Sequence, residues 1–162
     1  MIARVRLMAL AAGLALPAAA AAQSKPSPAL LESYARVIAL RSYMTTHVGE
    51  LLLACGTRGV LTDEEVEARY QAYRKRNAAL LGRAEAWSKE AEQRLAAQGE
   101  ERAARRLAEE SDLTAMAAAS ARAQGVIGKA RDARAACAAM GAAIESGRYD
   151  LSGNAEFVEL LR

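Results

Sequence analysis

The chain has 162 residues, of which 22 are basic and 19 acidic, a net charge of +3. Aromatic residues make up only 4%, so a core has to be built from Leu, Val, Ile, Met and Ala, which favours close helix packing and argues against a sandwich or barrel. The charge balance is too even for the strongly basic face that a nucleic-acid partner requires.

Residues 1–22 have the three-part layout of a secretory signal. Arg4 and Arg6 form a positive start, Leu7 to Leu16 an uncharged apolar stretch, Pro17 a break, and Ala18 to Ala22 a small-residue cleavage site. Cleavage is expected after Ala22, with the mature chain starting at Gln23. A spanning helix needs about 20 apolar residues, and this core is half as long. The two arginines are not adjacent, which argues against a twin-arginine signal. No cysteine follows the cleavage site to carry a lipid. Arg4 and Arg6 leave with the signal and no acid does, so the net charge falls from +3 to +1. The abundance of alanine and arginine suggests a GC-rich bacterial genome, hence a periplasmic or secreted destination.

After a flexible lead, residues 23–27, a single helical domain is expected over 28–162. Ser27-Pro28 reads as an N-cap followed by proline in the first helical position. Leu30, Tyr34, Val37, Met44, Val48, Leu51 and Cys55 then alternate in steps of three and four around Arg41, a helix seam. Gly56 is the expected terminator. Thr62-Asp63-Glu64-Glu65 reads as a capping box, with Leu61 and Val66 in the positions of a hydrophobic staple. The second seam runs through Val66, Tyr70, Tyr73, Asn77, Leu80, Ala84, Trp87 and Ala91, and fades at Gln98-Gly99.

A third helix is expected from about Glu100 to Gly147, with Ala103, Leu107, Leu113, Met116, Ala123, Ile127, Ala130, Cys137, Met140 and Ile144 facing inward. Gly125 and Gly128 each weaken it by about 1 kcal/mol relative to alanine, so a break there is the alternative. Phe157, Val158, Leu160 and Leu161 form a short closing helix.

An exported chain with two cysteines is a disulfide candidate. Helix 2 covers Thr62 to Gly99, so a chain that reverses at Gly99 brings position 137 back beside the Cys55 end. The expected fold is therefore all-α, an up-down-up bundle of three long helices plus a short C-terminal helix, stapled by Cys55–Cys137. The alternative is a four-helix bundle broken at Gly125–Gly128, in which Cys137 is expected to lie too far along the fourth helix to pair.

The search for chemistry yields little. His47 lies one turn from Met44, but both sit on one helix and cannot clamp a haem from opposite sides. Met116 and Met140 are off level, and metal sites normally cluster several ligands. Glu65–Arg69, Glu85–Lys89, Glu90–Arg94 and Glu101–Arg105 read as i, i+4 pairs on solvated faces. Arg74-Lys75-Arg76 and the group Arg122, Lys129, Arg131, Arg134 are basic patches that at most touch a membrane peripherally. No catalytic residue, metal or cofactor is assigned. The leading expectation is a non-enzymatic interaction protein of adaptor, chaperone or inhibitor type whose partner is another protein of the cell envelope. The second is a small-ligand carrier with a pocket near Tyr70, Tyr73 and Trp87.

Overall fold

The computed structural model describes residues 28–162; the expected signal and lead lie outside the described residues. The protein is an all-α bundle. Helix α1 spans Pro28–Thr57, α2 Asp63–Arg76, α3 Ala78–Ala97, α4 Glu101–Ala123, α5 Ala133–Glu145 and α6 Ala155–Leu160, with a π-helical turn at Gln124–Gly128 and a 3₁₀ turn at Leu151–Gly153.

Helix α1, about 45 Å long at 1.5 Å per residue, is the post on which the other segments pack. It buries Tyr34, Val37, Ile38, Val48, Leu51, Leu52 and Cys55. Its terminator is Gly59, not Gly56. Gly59 has φ +67°. Its N–H donates to the Gly56 carbonyl (2.8 Å), and the N–H of Val60 donates to that of Cys55 (3.0 Å). This Schellman arrangement satisfies carbonyls that the helix end leaves open. Gly56 remains helical and lets Val66 approach: a Cβ there would lie 3.3 Å from the valine Cγ2.

The capping box forms as read. The Thr62 hydroxyl accepts from the Glu65 N–H at 3.2 Å, and the Glu65 carboxylate accepts from the Thr62 N–H at 2.8 Å. The descending limb is divided into α2 and α3 at Asn77, which is 3% exposed. Its side chain donates to the Tyr73 carbonyl (2.9 Å) and to Asp150 (3.2 Å) and accepts from the Leu151 N–H (2.8 Å). A residue placed in the seam for its spacing is thus a polar clasp between the α2–α3 junction and the segment before α6.

Cross-contacts give the topology. Gly49 faces Tyr70 and Tyr34 bonds Glu92, so the α2–α3 limb runs antiparallel to α1. Ser42 bonds Asp112 and His47 bonds the Ala119 carbonyl, so α4 runs parallel to it. Cys55 bonds Cys137, Met44 meets Asn154 and Arg36 pairs with Glu156, so the chain from α5 to α6 descends again. The path is up, down, up, down.

The expectation of a third helix unbroken to Gly147 is therefore corrected. Helix α4 widens into the π turn at the two glycines, where side-chain packing holds the backbone least. The chain then reverses before Asp132, whose carboxylate caps α5 by accepting from the Ala135 N–H at 2.9 Å. Arg58 holds the turn by donating to the carbonyls of Gly128 (3.0 Å) and Ala130 (3.1 Å). Cys137 still pairs with Cys55, at a Cα–Cα distance of 5.8 Å. The four-segment path expected from the sequence excludes this pairing by placing the reversal at the glycines. The reversal falls after the glycines, so Cys137 is only about one turn into α5 and remains level with the end of α1.

The core divides into three clusters. Val48, Leu51, Leu52, Cys55, Tyr73, Ile127, Cys137, Met140 and Ile144 fill the disulfide end. Tyr34, Ile38, Ala91, Leu95 and Ala104 fill the opposite end. Val37, Ala84, Leu151 and Phe157 seat the last segment against α1 and α3.

Candidate interaction surfaces

The three aromatic side chains expected to line a pocket are divided between regions. Tyr73 is fully buried in the disulfide-end cluster, and half-buried Tyr70 stacks on it with ring centroids 6.4 Å apart. Trp87 lies about 21 Å further along the limb, by the helical rise, and packs between the other two clusters. Burial and the nearby Asp150 push the Tyr73 phenol well above the usual tyrosine range. Its hydroxyl and that of Ser88 are buried without a hydrogen-bond partner among the described residues.

His47 is 6% exposed. Its Nδ1 donates to the Ala119 carbonyl at 3.2 Å, and its ring stacks on Tyr43 and tilts against Tyr149. Burial holds its pKa below the ordinary 6.5, the hydrogen bond to Ala119 opposes that shift, and Arg122 adds to it. The imidazole is a packing group of the α1–α4 contact. Met44, the other residue weighed as a ligand, meets Asn154 instead.

Clefts open between several pairs of helices. One of about 340 Å³ between α3 and α4 has a floor of Tyr34, Ala96, Ala104 and Ala108 and a rim of Glu92, Glu101, Arg105 and Glu109. One of about 210 Å³ between α2 and α5 is floored by Leu52, Ala72 and Ile144 and crossed by Arg69, which pairs with Glu145 at 3.3 Å. Arg69 lies so close to α5 that a Cβ on Gly141 would stand 2.6 Å from its Nη1. The third, an open groove between α1 and α4, is lined by Ala39, Leu40, Tyr43, Thr114 and Ala118, with Glu110 at one end.

The surface that sequence reasoning missed is the outer half of α4. Leu113 and Met116 were expected to face inward, and both are exposed, by 68% and 42%. The inner face is built from alanines instead: Ala104, Ala115, Ala119 and Ala123 are buried against the large side chains of α1. Small residues let the two helices approach closely, and the ring of His47 reaches the backbone carbonyl of Ala119 because only a methyl group stands beside it. Asp112 sits at the edge of this alanine stripe and accepts from the Ser42 hydroxyl. With alanine inside, the large side chains are left outside. From Leu113 to Ala121 the sequence carries no charge. Leu113, Thr114, Met116, Ala117, Ala118 and Ala121 are all exposed over this stretch. A readable signal existed in the near-regular spacing of Ala104, Ala108, Ala115, Ala119 and Ala123, which fits a closely packed stripe better than the Leu113–Met116 seam.

No family model, curated protein or solved structure matches the chain. Among the described residues no helix is long and apolar enough to cross a membrane. Nor is there, among them, a group of three or more His, Cys, Asp or Glu residues placed to hold a metal ion.

Proposed function

We propose that the chain is exported, is cleaved near Ala22, and works in the periplasm or outside the cell as a helical interaction protein of adaptor, chaperone or inhibitor type. Its partner is a protein of the cell envelope, and any contact with the membrane is peripheral. The observation that carries this reading is the uncharged outer half of α4, where Leu113 and Met116 stand in water, in contrast with the charged outside of α3. Exposed apolar side chains grouped on one surface mark contact sites. A disulfide that ties the last third of the chain to α1 suits an oxidising compartment.

The second reading, a small-ligand carrier, draws on the Tyr70–Tyr73 stack and on the α3–α4 cleft. Trp87 packs beside the cluster that floors that cleft, so a ligand entering it would change the fluorescence of the sole tryptophan.

The test is affinity capture of the mature, oxidised chain from an envelope fraction, wild type beside Leu113→Asp. The expected result is a bound protein, a second copy of this chain included, that is lost with the substitution. An identical set of bound proteins for both chains would contradict the reading. N-terminal sequencing of the captured material should begin at or near Gln23, and material retaining Met1 would remove the export step.

A further inference from the structure

We propose that the cleft between α3 and α4 binds a small organic cation, a primary ammonium carried on a short apolar body. The proposal rests on the second reading, the ligand carrier, and adds the chemical class of the ligand.

Topology brings the lining together. Glu101, Arg105, Ala108 and Glu109 fall at i, i+4, i+7 and i+8, one stripe of α4, and Glu92, Gln93 and Ala96 face them from α3 across the turn at Gly99. Alanines at positions 96, 104 and 108 leave the gap between the helices unfilled, and Tyr34 of α1, 2% exposed, closes its floor. The volume of about 340 Å³ is at the small end of ligand pockets.

Charge selects the sign of the ligand. Three carboxylates and one guanidinium line the cleft, and Arg105 is committed to Glu101 at 3.0 Å. Glu92 and Glu109 have no salt-bridge partner among the described residues. Arg94, Arg102 and Arg106 do not line the cleft, and Arg41 of α1 lines a separate one with Glu85.

Tyr34 orients one of these free carboxylates by donating its hydroxyl to Glu92 Oε1. Burial, and then this hydrogen bond, hold the phenol well above the usual tyrosine range, so it remains a neutral donor. A carboxylate offers about four acceptor sites, so Glu92 Oε2 is left for the N–H groups of a ligand. An ammonium between the walls is offered Glu92 and Glu109, while its apolar body meets the alanines and the tyrosine ring. A metal ion needs ligands that converge on one point, and among the described residues no group of three or more His, Cys, Asp or Glu does so. An organic cation makes no such demand, because its contacts spread over the whole cleft.

The test is isothermal titration calorimetry, with amide-shift mapping of the isotope-labelled, oxidised protein. The probe is n-hexylammonium, and hexanoate and hexanol are controls of the same chain length. Hexylammonium is expected to bind with a dissociation constant on the order of 0.1 to 1 mM, as suits a ligand of so few atoms. Shifts should centre on residues 92–96 and 101–109, and both controls should bind at least about tenfold more weakly. Glu92→Gln and Glu109→Gln should each weaken binding about threefold to tenfold, as loss of a charged acceptor requires. Ala108→Leu should abolish it with every charge in place, by filling the cleft. Glu85→Gln removes a carboxylate from α3 outside the cleft and should change nothing. Glu109 is exposed, so its variant remains informative even if Glu92→Gln disturbs Tyr34. Binding that ignores both Glu92→Gln and Glu109→Gln overturns the inference. If hexanol or hexanoate enters the same cleft as tightly as hexylammonium, the carrier reading stands and this inference falls. If none of the three binds at about 10 mM, well above the expected constant, both fall.

Discussion

Helices α3 and α4 pack on the same post and present opposite exteriors. Both line α1 with alanine: Ala84 and Ala91 on α3, Ala104, Ala115, Ala119 and Ala123 on α4. Outside, α3 carries Arg83, Glu85, Lys89, Glu90, Glu92 and Arg94, all exposed, whereas α4 shows water an uncharged surface from Leu113 to Ala121. The inner faces obey one packing rule, so the outer difference does not arise from folding. A charged exterior like that of α3 meets every need of a solvated helix. The departure on α4 is the observation on which the proposed contact surface rests. The two also differ at their starts and far ends. The α2–α3 limb begins on a capping box, while α4 begins at Glu100 without a side-chain cap. The far end of α4 passes through the π turn to α5 and is held by the disulfide.

The largest expected effect comes from releasing that far end. Cys55 and Cys137 close a loop with a sequence separation of 82, and on the chain-entropy account Cys137→Ser should destabilise the domain by about 4 to 5 kcal/mol. Helical content should be little changed. Denaturant melts of the oxidised wild type and the variant measure the difference, and a loss below about 1 kcal/mol would mean that packing alone holds α5 in place.

Next in size is the contrast between the two sides of α4. Ala119→Leu forces three carbon atoms into the α1–α4 contact beside His47 and should cost about 1 to 3 kcal/mol. Leu113→Ala, about one third of a turn away around the helix, should change stability by less than about 0.5 kcal/mol. Equal costs would show that α4 has been assigned the wrong inner face.

The two helix starts differ by less. Thr62→Ala removes a hydroxyl that accepts a backbone N–H and should cost about 1 kcal/mol. Glu100→Ala removes no side-chain cap and should cost close to nothing by the same measure.

The smallest effect is gated by pH. Burial holds the folded-state pKa of His47 below the unfolded value of 6.5, so the neutral ring is favoured in the folded state. Its contribution is fully present above pH 6.5 and is lost as pH falls from 6.5 through the folded pKa, because the unfolded chain takes up a proton first. The melting temperature should therefore decline below pH 6.5 more steeply in the wild type than in His47→Gln. Parallel slopes would exclude a buried, neutral imidazole.

Much of the fold could be read from residues whose meaning is local. The Thr62–Glu65 box and the glycine stop at Gly99, which has φ +79°, are set by a few neighbouring atoms and fall where the sequence puts them. The disulfide was also legible, although the path to it was not. Helix lengths placed Cys137 at the right level by assuming a straight third helix. The reversal after Gly128 depends on Arg58 reaching two carbonyls from another helix, a contact that no local pattern encodes. Asn77 was seen as a seam position, but its function as a clasp depends on Asp150 and Leu151, far along the chain. The α4 surface was hidden by a general preference. Leu113 and Met116 fit a helical seam and are larger than the alanines beside them, so hydrophobicity pointed them inward. The tight α1–α4 approach selects by size and takes the alanines. The aromatic trio failed to converge for a similar reason: one seam holds Tyr70, Tyr73 and Trp87, but the limb passes different core clusters along its length.

The most direct test of the contact surface compares the two exteriors in the cell. A photoreactive amino acid is placed at position 113 of α4 or at position 86 of α3, both exposed, in the full chain carrying its export signal. After irradiation of intact cells, the products are resolved by mass and identified by mass spectrometry. The account predicts a discrete cross-linked protein product at 113 and none above background at 86. Absence of a product at 113, or the same products from both positions, would contradict it.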